Sequence, residues 1–310
     1  MDLVNEIRDY FAAKIEGYTP LESLPPEYEA FAMRTEGMFG VAIPYDNTLA
    51  VAERFSGAQL HTRTRVLGND PGRTFLELTS TYDALRNEFA TLCAQFVSPG
   101  LRGVDRKALI NDPLSWWNNW RQLLGNTVRE KAAYSVIAEM IVLYKLYRNN
   151  KEIRWAAADN VGTQDIEDAE NSYEVKSTLK KSGVEITISS LSQLKKDTQK
   201  RLYLYFCRME ESVQGISIND MTEKLIKAGY DGVLLEKELM KIGYEYGCSA
   251  RNDKYKFVEG RKYIVDKEFP AITEKSFIGG NKPEFLISFT YTITLNDIPF
   301  EEWNYRSEEE

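Results

Sequence analysis

Hydrophobic spacing changes character several times along the chain. Residues 2–15 place Leu3, Ile7, Phe11 and Ile15 four apart, which predicts an amphipathic helix. Residues 17–30 hold three prolines and predict a loop. From 37 to 78 the text turns to short alternating or apolar runs between turn signals. It predicts strands over 39–45, 48–55, 58–68 and 73–80. A helix follows at 81–98, with Leu85, Phe89, Leu92 and Phe96 on one face. Together these define an N-terminal α+β domain, 1–105.

Residues 112–125 form the next predicted helix, with Trp116, Trp117 and Trp120 at near-helical spacing. Stacking on bases is one reading of such a group. Packing against the next helix is the favoured one, because Leu123 and Leu124 extend the same face. The strongest helical pattern comes next, over 126–150. Thr127 can cap it, with Glu130 three residues on as capping-box partner. Val128, Ala132, Val136, Leu143 and Tyr147 make its apolar stripe, and Glu139 falls inside that stripe. A carboxylate on a buried helix face needs a partner: a core-rim lysine or arginine, or a functional one.

Residues 162–194 carry the candidate chemistry. SYEVKST, 172–178, reads as a strand. Side chains alternate on a strand, so Glu174 and Lys176 share one face and Val175 points into the opposite layer. Two unlike charges side by side on a probable core strand are costly to bury without a purpose. A hairpin through the turn-like 168–171 lays Asp165 beside that strand and brings its carboxylate near Glu174. Two converging carboxylates suit a hard divalent cation such as Mg2+. A lysine beside them suits an attacking water or a phosphate oxygen. After a turn at 180–183 the chain is expected to return as an antiparallel third strand, 184–190. A helix from 191, capped by Ser190 or Ser192, and an aromatic-rich strand at 200–209 complete this stretch. Farther on, helices over 217–229 and 232–244, a hairpin at 254–266 around Glu259–Gly260 and a strand over 285–295 are expected.

Asp165, the Glu174-x-Lys176 pair and Gln193 resemble the PD-(D/E)XK nuclease superfamily. The resemblance extends to a bacterial, restriction- and defence-associated group of PD-(D/E)XK motif proteins, through AEMIVLYKL (138–146), ISSLSQL (188–194) and YIVDKEFPAI (263–272). Gln164 stands where the name motif has proline, which leaves Asp165 and Asp168 both open as the ligand. The resemblance implies an α/β (α+β) chain with a restriction-endonuclease-like core, a mixed β-sheet flanked by helices, over 106–214. The remainder, 215–310, is a helix pair plus strands, which could be winged-helix-like and so suggest DNA reading. It further implies a Mg2+-dependent DNA endonuclease, with Mn2+ able to substitute. Asp165 and Glu174, with the Val175 carbonyl, would hold one or two ions, and Glu139 would join them. Lys176 would orient the attacking water, and Gln193 would contact phosphate or brace Lys176. Implied partners are DNA, a methyltransferase or other defence proteins, and a second copy of the chain. A reading from another class is a non-catalytic DNA-binding or assembly subunit that keeps the fold; RNA cleavage is a third.

Composition narrows the chemistry. A single histidine, His61, excludes a histidine-based triad and a multi-histidine zinc site. Cys93, Cys207 and Cys248 are far apart and lack C-x-x-C spacing, so reduced thiols in a cytoplasmic protein are expected. No apolar run suits a membrane span, and residues 1–11 lack a signal-peptide pattern. P-loop and G-x-S-x-G signatures are absent. The net charge of −8 argues against an unfocused nucleic-acid binder. Locally the balance reverses: from Lys176 to Arg201 there are seven basic and two acidic residues. Within that run Lys180, Lys181, Lys195, Lys196 and Lys200 are the candidate DNA contacts, against the alternative of an ordinary solvated surface.

Overall fold

The computed structural model describes residues 2–35, 37–55, 57–66, 72–124, 131–156, 164–195, 200–287 and 289–305. The chain divides into two units, Met1–Val128 with Glu245–Ser249, and Arg129–Tyr244 with Ala250–Glu310.

The first unit begins with α1 (Leu3–Ala13), β1 (Gly17–Pro20), β2 (Phe31–Thr35), β3 (Met38–Pro44), β4 (Ala52–Phe55), β5 (Ala58–Arg65) and β6 (Arg73–Ser80). It ends with helices α2 (Arg86–Val97), α3 (Val104–Asn111) and α4 (Pro113–Leu124). The strands form an antiparallel sheet in the order β1-β2-β3-β6-β5-β4. Ile7 and Phe11 of α1 are buried, and Phe11 meets Phe39 edge-on at 4.9 Å. The strand β1 lies in the proline stretch expected to be loop. Pro20 ends this edge strand, where a missing N–H breaks no inner ladder.

Leu109 and Trp117 are buried in this unit's core, and Trp116 packs edge-on to Phe96 at 5.0 Å. The tryptophans therefore pack a core rather than offer faces for bases. Residues 106–124, grouped with the nuclease core in the sequence reading, fold with the first unit because their apolar faces complete its interior. His61 is buried there, its Nε2 2.9 Å from Glu245 Oε2.

The second unit holds α5 (Ala133–Asn149), β7 (Arg154–Trp155), β8 (Ile166–Glu167), β9 (Asn171–Thr178), β10 (Glu185–Ile188), β11 (Arg201–Ile216), α6 (Ile218–Lys227) and α7 (Gly232–Lys241). It closes with β12 (Tyr255–Ile264), β13 (Tyr291–Thr294) and β14 (Glu301–Trp303). Its main sheet is mixed, in the order β14-β12-β11-β9-β8-β7. Strands β9 and β11 run parallel, with Glu174 opposite Leu204 and Lys176 opposite Phe206. The hairpin expected through 168–171 is present, as β8 pairs antiparallel with β9. Helix α5 is buried on all sides from Val136 to Leu143, so no face of it is left for Glu139 to reach bulk water.

Several expectations change. Strand β10 does not pair with β9, which has β11 along one edge and the two-residue β8 at Ser172–Tyr173 on the other. It pairs antiparallel with β13 instead. The buried Ile186 and Ile188 of β10 join a cluster with Leu202, Leu204, Phe206 and Tyr263. Arg208 fixes this departure: its Nη2 donates to the Gly183 carbonyl at 2.7 Å and its Nε to Glu259 at 2.9 Å. Residues 191–194 form a turn rather than the start of a helix, and 196–199 lie outside the described residues. Helix α5 starts at Ala133; the expected cap Thr127 and its partner Glu130 also lie outside the described residues. Only Tyr291–Thr294 of the expected 285–295 strand is a strand.

The region 215–310 does not stand as a unit of its own. β11 runs on to Ile216, Ser217 caps α6 directly, and β12 returns to the main sheet between β11 and β14. β12 is one continuous strand where a hairpin was expected, so the helix pair is present without that wing. Gly260 marks a close approach, not a turn: a Cβ there would meet the Trp303 indole at 2.6 Å and the Phe257 ring at 2.7 Å. Among the described residues no helix is long and apolar enough to cross a membrane.

Gly260→Ala should therefore lower unfolding stability by about 1–3 kcal/mol, the usual cost of overpacking. Urea unfolding followed by tryptophan fluorescence measures it; an unchanged midpoint would show that Trp303 gives way freely.

Candidate active site

The β8–β9 ladder ends at the pair Ile166–Tyr173. Beyond it, β9 continues as Glu174 and Val175 with no paired strand residue on the β8 side among the described residues. Asp165, the residue just before β8, fills this gap with its side chain. Its Oδ2 accepts the Val175 N–H at 2.8 Å. The N–H and C=O of a strand residue point the same way, so the Val175 carbonyl also faces the gap beside Asp165.

Glu174 is only 2% exposed. Its Oε1 lies 2.8 Å from the Lys176 ammonium. That ammonium also donates to Gln193 Oε1 at 3.2 Å, and the same oxygen accepts the Ser189 N–H at 2.9 Å. Gln193 thus bridges the turn after β10 and the strand lysine.

Glu139 enters from α5 and has both oxygens engaged. Trp155 Nε1 donates to Oε2 at 3.0 Å, and Lys131 Nζ donates to Oε1 at 2.7 Å. The Lys131 ammonium donates equally to Asp165 Oδ1, at 2.9 Å. The result is two linked sets, the charges Glu139–Lys131–Asp165 and the pair Glu174–Lys176 braced by the neutral Gln193.

Sequence reasoning missed Lys131. Within the continuous helix expected over 126–150, it would stand eight residues and about 12 Å of rise from Glu139. The backbone instead leaves helical geometry at Ala132, and Tyr244 Oη donates to the Lys131 carbonyl at 2.9 Å. That anchor lets the side chain fold back. No periodic signal marks such a contact.

Asp168, the alternative ligand, does different work. Its carboxylate accepts the N–H groups of Glu170 at 2.8 Å and Asn171 at 2.7 Å, and Asn150 Nδ2 at 3.1 Å. Burial works against its charge, but these bonds hold its carboxyl below the usual range. It closes the β8–β9 turn, and Asp165 is the aspartate that faces the strand.

The candidate DNA lysines do not gather into one patch. Lys180 and Lys181 are exposed past the C-terminal end of β9, Lys180 being 3.7 Å from Glu185. Lys200 precedes β11 near the other end of β9 and is paired with Glu167 at 2.8 Å. The eight residues of β9 span roughly 25 Å between these ends. Lys195 is exposed after the Gln193 turn and pairs with Glu274 at 3.2 Å. Lys196 lies outside the described residues.

Burial and the neighbouring Asp165 charge push the Glu139 carboxyl up to about 7 and the Glu174 carboxyl up to about 8. Burial disfavours the Lys131 ammonium, but Glu139 and Asp165 outweigh it and hold that ammonium well above its ordinary value. With all three carboxyls ionised, three carboxylates would face two ammoniums and the cluster would lack one positive charge. No group of three carboxylates, histidines or cysteines among the described residues is placed to cage an ion unaided. Asp165, Glu174 and the Val175 carbonyl are instead two carboxylates and a carbonyl, a donor set that suits a hard divalent ion completed by water. The raised carboxyls mark where positive charge is wanted.

A mixed sheet with helices, carrying Asp165 and Glu174-x-Lys176 on adjoining strands, is a restriction-endonuclease-like α/β fold, the class of the PD-(D/E)XK proteins. Residues 44–296 of the 310 match the family described as "Putative PD-(D/E)XK family member (DUF4420)". The chain belongs to that family, which bears out the resemblance to the PD-(D/E)XK superfamily. PD-(D/E)XK proteins are generally nucleases and typically use divalent metals. No curated protein and no solved structure matches the chain.

The raised carboxyls set a pH dependence. Below about pH 4.5 both the folded and unfolded chains keep these protons. As pH rises, the unfolded chain loses them first, so stability falls until Glu139 and Glu174 ionise near 7 and 8, and is level above. In EDTA, the fall in Tm between pH 5 and 8.5 should be smaller for Glu174→Gln than for the wild type. Equal slopes would show that Glu174 does not hold its proton.

Proposed function

We propose that this chain is a Mg2+-dependent DNA endonuclease, with Mn2+ able to substitute, that hydrolyses phosphodiester bonds in restriction or phage defence. The observation that carries the reading is the meeting of Asp165, Glu174 and Lys176 where β8 leaves β9. Asp165, Glu174 and the Val175 carbonyl are the oxygen donors for the ion. When bound, the ion supplies Lewis-acid polarisation of the phosphate and a water of lowered pKa.

The side chains do the rest. Glu174 and Gln193 hold Lys176 from two directions, and an ammonium has three N–H donors. The third is left to orient the attacking water or steady a non-bridging phosphate oxygen. As the water oxygen bonds to phosphorus it gives up a proton to solvent, the P–O ester bond breaks, and the leaving oxygen takes up a proton from solvent. The charge that grows on the phosphoryl oxygens is what Lys176 would face. Glu139 keeps Asp165 in place through the ammonium they share. Lys180, Lys181, Lys195, Lys196 and Lys200 give phosphate contacts on the flanks, which position rather than specify.

Duplex DNA is the substrate in this reading, and a homodimer supplies one site to each strand. A methyltransferase or another defence protein is the partner, in the cytoplasm. These last elements rest on the family resemblance.

Supercoiled plasmid with Mg2+ tests the proposal. Wild type should cut and EDTA should stop it. Lys176→Ala and Asp165→Ala should each lose at least about 100-fold in rate, while Asp168→Asn keeps most of it. Equal behaviour of wild type and both alanine variants would assign the chain to a non-catalytic DNA-binding or assembly role. RNA offered in parallel separates a ribonuclease.

A further inference from the structure

We propose that Lys131 supplies the second positive charge of the site, so that the chain takes one divalent ion rather than two. The inference rests on the metal-dependent reading above and concerns how that site is filled.

The geometry is specific. The Lys131 ammonium lies between the two carboxylates, 2.7 Å from Glu139 Oε1 and 2.9 Å from Asp165 Oδ1. Glu139 and Asp165 would be the carboxylates to hold a second ion, and the ammonium already occupies the space between them. The remaining oxygens are directed elsewhere: Glu139 Oε2 to the Trp155 indole and Asp165 Oδ2 to the Val175 N–H. The lysine itself is seated, since Tyr244 Oη holds its carbonyl and α5 begins two residues on.

Charge counting agrees. With all three carboxyls ionised, as they would be when holding an ion, Glu139, Asp165 and Glu174 bring three negative charges, and Lys131 and Lys176 bring two positive ones. One divalent ion takes the cluster from one negative to one positive, and a phosphodiester then makes it neutral. Two divalent ions would leave it strongly positive, with one of them crowded against an ammonium that two carboxylates already hold. Glu139 is accordingly a positioning residue, joined to Asp165 through Lys131, and the ion sits on the Asp165–Glu174 side.

Mn2+ titrated into the full chain without DNA, with free Mn2+ counted by electron paramagnetic resonance, tests this directly. Wild type should bind about one ion per chain at micromolar to millimolar levels. Lys131→Met should bind about two, and Lys131→Arg about one. Two comparable ions in wild type would overturn the inference and leave the nuclease reading standing. One ion in a folded Lys131→Met chain, its fold checked by circular dichroism, would overturn it too. No bound Mn2+ in wild type, with Asp165→Asn indistinguishable, would overturn the metal-dependent reading and this inference with it.

Discussion

The Asp165–Val175 bond is the contact on which the site depends. β8 is only two residues long, so β9 runs on beyond it without a paired strand on that side among the described residues. A buried N–H left without an acceptor costs about 1–3 kcal/mol. Asp165 removes that cost by side chain where a longer strand would have done so by backbone. Its carboxylate is thereby fixed beside Glu174 and reaches Glu139 through Lys131. The short strand opens the gap, and closing the gap places the acid. Fold and candidate site share one solution, so the geometry of the site needs no separate scaffold.

Burying this much charge is expensive, and the surroundings show how the cost is contained. Glu139 is enclosed by α5 and tied to an indole and an ammonium; Glu174 has a lysine of its own. Pairing removes most of the penalty of an isolated buried charge. What is left is an imbalance of one negative charge around Asp165, which both raised carboxyls report. A protein selected for stability alone would replace such a cluster with apolar side chains of similar volume. Keeping it makes sense where a cation and then a phosphate are to be received.

Much of this was legible in the chain. Period-two alternation was enough to put Glu174 and Lys176 on one face, and the turn residues 168–171 were enough to fold Asp165 back towards them. Glu139 stood out as a carboxylate in an apolar stripe. What failed was pairing and anchoring. Strand propensity says that 185–188 is extended but not which edge it will find, and that edge was β13. Gly260 beside Glu259 looked like a turn when it was clearance for Trp303. A helix pattern drawn through 131 hid the lysine that folds back on Glu139. Each failure turns on a partner far apart in sequence, β13 for β10, Trp303 for Gly260 and the Tyr244 anchor for Lys131, which local patterns do not encode.

The misplaced strand proves to matter for the site. β10 packs with β13 over the face of the main sheet that carries Glu174 and Lys176, since those residues stand in register with the buried Leu204 and Phe206. The turn that follows β10 delivers Gln193, whose single oxygen accepts from both the Ser189 N–H and the Lys176 ammonium. Had β10 extended the main sheet, that turn would have left at the sheet's edge, away from this face. The second layer therefore does more than bury Ile186 and Ile188: it sets the direction in which Lys176 presents its remaining N–H. The angle of the proposed catalytic lysine is decided by a small sheet that contributes none of the proposed metal ligands.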